Sequence, residues 1–411
     1  MAHCDGAIVN GPAVHIGFST SVVQRGQSGI AQYVFALLRA LLEPDEHEYT
    51  LFVLEKDLEL FRFAAGKARL FTVEERFRPA VRDILWHQTV LPGLARSLRL
   101  DVLHVPSYRR MLWYRPCPLI ATIHDLAPFH VRGKYSWSRM FYGRVVVPQL
   151  ANRQDEIVAV SGNSAMDVFR YFRVSRERLT VIYNGLDHSR FFPGDHIQAK
   201  ALCLHRFGLE RPFFLYVARL EHPGKNHVPL IEAFNRFKTE TGSNWQLALA
   251  GADWHGALEI HKAIAASTFA KDIRCLGFVP DALLPELYRA ADLFVYPSLF
   301  EGFGMPPLEA MACGCPVLSS PRGSLGEVLG HAAALVNPED IGALAAQLVK
   351  LSTSQALRQE MKTAGLARAQ RLDWARTARA MTALYERAAK GPRVNPQDLS
   401  RTLALPSKMS R

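Results

Sequence analysis

Short apolar runs of three to six residues alternate with longer amphipathic stretches along almost the whole chain, and this alternation restricts the fold more than any other feature. A parallel strand buried on both faces reads as a continuous apolar run, and the helix that crosses back over it carries one apolar stripe. The runs predicted as strands lie at 14–18, 50–54, 102–105, 119–123, 156–160, 179–182, 213–217, 245–250, 273–276, 293–296 and 317–319. They are too many for one small sheet, and residues 184–194, rich in Gly, Pro and Asn, separate them into two groups. The pattern predicts two doubly wound α/β domains, 1–188 and 189–370. A helix within 371–390 and a polar tail over 391–411 follow.

The 411 residues are enough for two or three domains, each with a proper core. No run approaches the roughly 20 apolar residues of a spanning helix. Residues 1–12 lack a basic segment followed by an apolar one, so the sequence predicts a cytoplasmic protein. The six cysteines form no Cys-x-x-Cys pair, which argues against a disulfide framework or a zinc ribbon. The 15 histidines show no ligand spacing, and no metal is expected. The formal charge of +11 is concentrated: residues 61–153 hold 16 basic side chains against five acidic ones. Such a bias attracts polyanions. With no nucleic-acid signature beside it, an anionic membrane surface is favoured over nucleic acid, and a merely solvated basic face remains the plain alternative.

Ligands of open α/β sheets bind beyond the carboxyl ends of the strands, so the loops that follow strands are where chemistry is sought. The first strand is not followed by the Gly-x-Gly-x-x-Gly of a dinucleotide dehydrogenase. After the strand at 293–296 comes Glu301-Gly-Phe-Gly304-Met-Pro306-Pro307-Leu-Glu309, a glycine loop leading into a helix. Pro306 or Pro307 suits the first helical turn, and the free N–H groups there suit an anion. Glu301 and Glu309 can reach one polyhydroxylated ligand from two levels, although a lone Glu at a helix start equally answers the helix dipole. After the strand at 213–217, Arg219 and Lys225 stand six positions apart in a turn-rich loop, a pairing suited to a diphosphate.

Arg219 with Lys225, and the Glu-x7-Glu spacing of Glu301 and Glu309, resemble the donor site of the retaining glycosyltransferase family 4, whose architecture is GT-B. Further segments of similarity are 28–33, His124-Asp125, Val160-Ser161-Gly-Asn-Ser164, Tyr183-Asn184-Gly185, Gly277-Phe278-Val279 and Gly323-Ser-Leu-Gly-Glu327. Two positions depart from the family's habit: Gly224 where an Arg often precedes the Lys, and Gly326 where Pro often precedes Glu327.

The resemblance implies two Rossmann-like domains facing a cleft, with the donor held by the second. Arg219 and Lys225 would hold the diphosphate and neutralise the leaving group, and Glu309 would accept from the ribose. Glu301 would bind the transferred sugar, with the backbone of Gly302, Phe303 and Gly304 beside it. Val279 would meet the base through its backbone, and Gly29 would let the first domain approach the phosphates. His124 would orient the sugar near the reacting carbon; without the resemblance, a histidine satisfied by Asp125 is the plainer reading. The expected activity is metal-independent hexosyl transfer from a nucleotide sugar, first of all mannose from GDP-mannose, to a glycan or lipid-linked oligosaccharide. Relatives of this kind build exopolysaccharide or lipopolysaccharide, and aromatics such as Trp113, Tyr114, Tyr135, Trp137 and Phe141 among the cations fit peripheral contact with the membrane. The rival readings are a non-catalytic nucleotide-sugar-binding subunit and a GT-B nucleotide-sugar epimerase.

Overall fold

The computed structural model describes residues 13–26, 28–44, 46–131 and 140–391. The initial segment 1–12, Tyr135, Trp137 and the tail beyond Gly391 lie outside them. Two parallel sheets form. The first has seven strands: β1 (His15–Ser19), β2 (Glu48–Leu54), β3 (Arg69–Val73), β4 (Val102–Val105), β5 (Leu119–Ile123), β6 (Glu156–Ala159) and β7 (Leu179–Val181), in the order β3-β2-β1-β4-β5-β6-β7. The second has six: β8 (Phe213–Val217), β9 (Gln246–Ala250), β10 (Ile273–Gly277), β11 (Leu293–Tyr296), β12 (Val317–Ser319) and β13 (Ala334–Leu335), in the order β10-β9-β8-β11-β12-β13. In each sheet the order reverses beside the first strand, at β1/β4 and at β8/β11, which is where a doubly wound sheet opens a crevice.

Burial explains the runs. Every residue of β4, β5, β9 and β11 is buried, because helices cover both faces of these central strands. The two strands that the sequence did not predict, β3 and β13, lie at sheet edges. In β3, Arg69 and Thr72 face solvent, and β13 is two residues long, so neither presents an unbroken apolar run. No helix among the described residues is long and apolar enough to cross a membrane.

The chain passes between the domains twice, at adjacent places. On the way out, residues 184–194 run beside the segment that returns at 372–374. Leu186 bridges to Asp373, and a Cβ at Gly185 would meet the Trp374 backbone at 2.3 Å. His188 Nε2 lies 2.9 Å from the Leu372 carbonyl, and the Thr377 hydroxyl donates to the Tyr183 carbonyl at 2.8 Å. The returning helix Trp374–Ala389, capped by Asp373, then packs on the helix Gly29–Leu41 of the first domain. Tyr385 of this helix reaches His104 Nδ1 at 2.7 Å, and His104 Nε2 reaches the Thr122 hydroxyl at 2.8 Å. Burial holds His104 neutral, with its pKa lowered to about 3. The last helix thus follows the second domain in sequence and belongs to the first in space.

Candidate active site

The carboxyl ends of both sheets open onto one cleft of about 1610 Å³ between the domains. Gly29, His124, Arg219, Lys225, Glu301, Gly302, Phe303, Gly304 and Glu309 all line it. Val279 does not. Its side chain is 5% exposed and packed in the core beyond β10, and neither it nor its neighbour Phe278 is among the residues of the cleft wall.

Two loops of the second sheet build the floor. The loop after β8 carries Arg219 and Lys225, and the loop after β11 carries Glu301. They are joined through Gly224, whose carbonyl accepts from the Leu299 N–H at 3.1 Å. Across that junction Lys225 Nζ donates to Glu301 Oε1 at 2.6 Å, and the Tyr296 hydroxyl donates to the same oxygen at 2.9 Å. Burial works against both charges, but the partner outweighs it on each side: the Glu301 carboxyl is held below the usual carboxylate range and the Lys225 ammonium is raised. The pair is therefore ionised at neutral pH.

Arg219 is placed differently. Among the described residues no carboxylate forms a salt bridge with it; its guanidinium lies over the Trp254 ring, 4.6 Å from the centroid, at the exposed rim of the cleft. An aromatic face holds the cation without neutralising it, so its donors remain available to an anion.

The helix Met305–Ala312 begins directly behind Glu301. Gly304, at φ 94°, supplies the left-handed turn at its cap, and Pro306 sits in the first turn. A Cβ at Gly304 would also stand 2.5 Å from Leu325. Glu309 projects from this helix and accepts from the Tyr288 hydroxyl at 2.8 Å. Burial raises its pKa to about 7, against the opposing effect of the Tyr288 bond.

The first domain contributes His124, at the end of β5. Its ring meets Tyr33 edge-on at 4.5 Å. Burial lowers its pKa to about 4, against a bond with the Pro106 backbone, so the ring is neutral at pH 7. Nε2 is buried and has no hydrogen-bonding partner among the described residues. The Asp125 carboxylate does not satisfy it; Asp125 Oδ1 instead accepts from the Ala127 N–H at 3.0 Å. Opposite, Gly302 lies so close that a Cβ would stand 1.8 Å from the His124 carbonyl oxygen. Gly29 opens the helix Gly29–Leu41, capped by Ser28, and nothing lies within 4 Å of where its Cβ would be.

Sequence reasoning did not single out Tyr296, Tyr288 or Trp254. The two tyrosines sit in runs that read as core, and both are core residues whose hydroxyls reach the carboxylates. Trp254, 56% exposed just beyond β9, was visible only as an isolated aromatic in a loop after a strand.

Two doubly wound α/β domains with cationic and acidic groups in the cleft between them form the GT-B architecture. Residues 27–190 match the family described as Glycosyltransferase Family 4, and residues 205–368 match Glycosyl transferases group 1. The chain belongs to these glycosyltransferases. It is 28% identical over 381 residues to O-antigen chain mannosyltransferase B of Escherichia coli, covering 87% of this chain and 95% of that protein. It is 32% identical over 271 residues to the serotype-specific mannosyltransferase WbdA of Escherichia coli, covering 64% of this chain but only 32% of that longer protein. Among solved structures, HepE of Anabaena in complex with UDP and glucose superposes with a TM-score of 0.71 at 20% identity, covering 91% of this chain and 99% of that one. WaaG, a glycosyltransferase involved in lipopolysaccharide biosynthesis, gives 0.67 at 15% identity, covering 90% and 99%.

The raised Glu309 carboxyl makes stability depend on pH in a defined direction. Its protonated form is favoured in the fold, so its contribution is complete below the unfolded value near 4.5 and is lost as pH rises through about 7. Replacing Glu309 with Gln is expected to flatten this loss, which is on the order of 1–3 kcal/mol between pH 5 and pH 8. Urea unfolding of wild type and Glu309→Gln at the two pH values measures it; parallel pH dependences in both proteins would contradict the assignment.

Proposed function

We propose that the protein moves a hexose, mannose from GDP-mannose before other donors, onto a glycan or lipid-linked oligosaccharide during synthesis of a cell-surface polysaccharide. The observation that carries this reading is the Arg219 guanidinium, in no salt bridge among the described residues, lining the same cleft as the ionised Lys225–Glu301 pair, at the crevice where a nucleotide diphosphate would lie. That two relatives are named mannosyltransferases supports the sugar.

In this reading Arg219 and Lys225 flank the diphosphate. When the bond from the anomeric carbon to the phosphate oxygen breaks, its electron pair stays on that oxygen, and fixed cations stabilise the developing charge where it counts most. Two protein cations supply this role without a metal, and we infer metal-independent transfer. Glu301, already held by Lys225 and Tyr296, would accept from sugar hydroxyls, and Glu309 from the ribose. The buried Nε2 of neutral His124 would accept from a sugar hydroxyl and so orient the reacting carbon. Retention of configuration follows the family's usual reaction on one face of the sugar, with the acceptor oxygen bonding to the anomeric carbon as the diphosphate leaves and the acceptor's hydroxyl proton passing to the departing phosphate oxygen on that face; Glu301 is engaged by Lys225 and is not assigned as a nucleophile.

The basic first domain would hold the acceptor at an anionic membrane surface. Trp113, Tyr114 and Phe141 are about half exposed, and arginines cover two of them, Arg153 over Trp113 at 4.1 Å and Arg96 over Tyr114 at 4.4 Å. Aromatic rings beside cations suit the interface between headgroups and acyl chains. Tyr135 and Trp137 lie outside the described residues.

Two outcomes are expected. Arg219→Ala lowers mannosyl transfer from GDP-mannose by about 100- to 1,000-fold, the cost of removing one charge-stabilising group; near-normal turnover would overturn its role. In co-sedimentation, the protein pellets with vesicles containing phosphatidylglycerol and stays in solution with purely zwitterionic ones; equal behaviour in both would remove the membrane from the account.

A further inference from the structure

The Gly323-Ser-Leu-Gly-Glu327 segment has no part in the donor contacts above, yet it touches both domains. Glu327 belongs to the second domain. Its Oε1 accepts from the Gly162 N–H at 2.7 Å and its Oε2 from the Asn163 N–H at 2.9 Å, both in the first domain. The Tyr183 hydroxyl donates to Oε1 as well. Three donors on one carboxylate are a strong contact, because hydrogen bonds to an ionised acceptor exceed neutral ones. The fit at Gly162 is tight: a Cβ would stand 3.0 Å from Oε1, so the carboxylate would have to give by a few tenths of an ångström.

The same two segments also hold the backbone around Glu301, one from each side. Within the second domain, the Ser324 N–H and hydroxyl both donate to the Glu301 carbonyl at 3.0 Å. From the first domain, the Ser161 hydroxyl donates to the next carbonyl, that of Gly302, at 2.8 Å. Ser164 lies 3.3 Å from that carbonyl and 3.4 Å from the His124 carbonyl. A closed ring of contacts results: Glu327 to Gly162, Ser161 to Gly302, and Ser324 to Glu301. The His130 ring adds a second tie, stacked on Phe300 at 4.2 Å.

We propose that Glu327 is a positioning residue: by gripping the 162–163 backbone, it fixes the separation between His124 on the first domain and Glu301 on the second. The proposal rests on the reading of those two residues as parts of the site. Its physical basis is that a misplacement of about 1 Å in a transfer site can cost roughly 100-fold in rate. In this reading the diphosphate of GDP is held by Arg219 and Lys225, both on the second domain's own loop after β8, so GDP binding does not require this ring.

Glu327→Gln is the test, since it keeps the size but sets an amide N–H₂ against one of the two backbone donors. Hydrogen exchange is expected to quicken by about tenfold or more at 160–165 and 300–304 and to stay unchanged in β8. With GDP-mannose as donor, kcat falls by about 10- to 100-fold. The Kd for GDP, measured by calorimetry, stays within about threefold, a kcat effect without a binding effect. Ser161→Ala, which removes the bond to Gly302 together with the hydroxyl's bonds to the Ser164 N–H and Ser164 hydroxyl but leaves Glu327 in place, is expected to give the same signature at smaller size, and it serves if Glu327→Gln does not fold. Unchanged exchange at both segments, or an equal loss of GDP affinity and turnover, overturns the proposal. Wild type that does not bind GDP counts against the donor assignment instead, and the exchange result still judges the ring.

Discussion

The Lys225–Glu301 ion pair is the interaction on which the floor of the cleft depends. A buried pair is a poor device for stability, because removing two charges from water costs about as much as their attraction returns, and breaking one partner leaves the other stranded. Here each side chain is about one-sixth exposed and the contact is 2.6 Å. It joins two loops that follow different strands, β8 and β11, and Tyr296 completes it from the strand itself. Such a pair fixes the direction of both charges at the cleft floor. In the proposed reading a sugar phosphate arriving there would meet an ammonium and a carboxylate that are already oriented, leaving little reorganisation for the moment of reaction.

The domain seam depends on small residues as much as on charge. Gly302 brings the Glu301 loop against the His124 carbonyl, Gly185 brings the outgoing connection against Trp374, and Gly162 admits the Glu327 carboxylate. The backbone approaches at Gly302 and Gly185 leave no room for a Cβ, and at Gly162 the Glu327 carboxylate would have to shift to admit one. The two crossings at 184–194 and 372–374 run side by side, the last helix docks on the first domain, and the Glu327 ring lies within the seam. Motion between the domains would have to break or preserve that ring, which makes it a natural determinant of where the cleft settles.

Much of this was legible in the chain itself, for identifiable reasons. Central strands such as β4, β5, β8 and β11 were marked by unbroken apolar runs, because both their faces are covered. Of the four edge strands, β7 and β10 were also marked, but β3 and β13 were not: β3 has Arg69 and Thr72 in water, and β13 is too short to register. Arg219, Lys225 and Glu301 stood out as charged residues in loops that follow strands, and Glu309 by its spacing of eight from Glu301 on the helix behind that loop. Tyr288 and Tyr296 were invisible as ligands of carboxylates, since a tyrosine in an apolar run signals core before it signals a hydroxyl. That Arg219 would rest on Trp254 rather than an acid, and that the last helix would return to the first domain, are consequences of three-dimensional packing with no local signal.

The central claim is that a nucleotide diphosphate docks between Arg219 and Lys225. A crystal structure of the protein grown with GDP tests it most directly. The account predicts phosphate oxygens within hydrogen-bonding distance of the Arg219 guanidinium and the Lys225 ammonium, with the Lys225–Glu301 contact kept and the ribose at Glu309. A diphosphate bound elsewhere in the cleft, with Arg219 still free above Trp254, would contradict it.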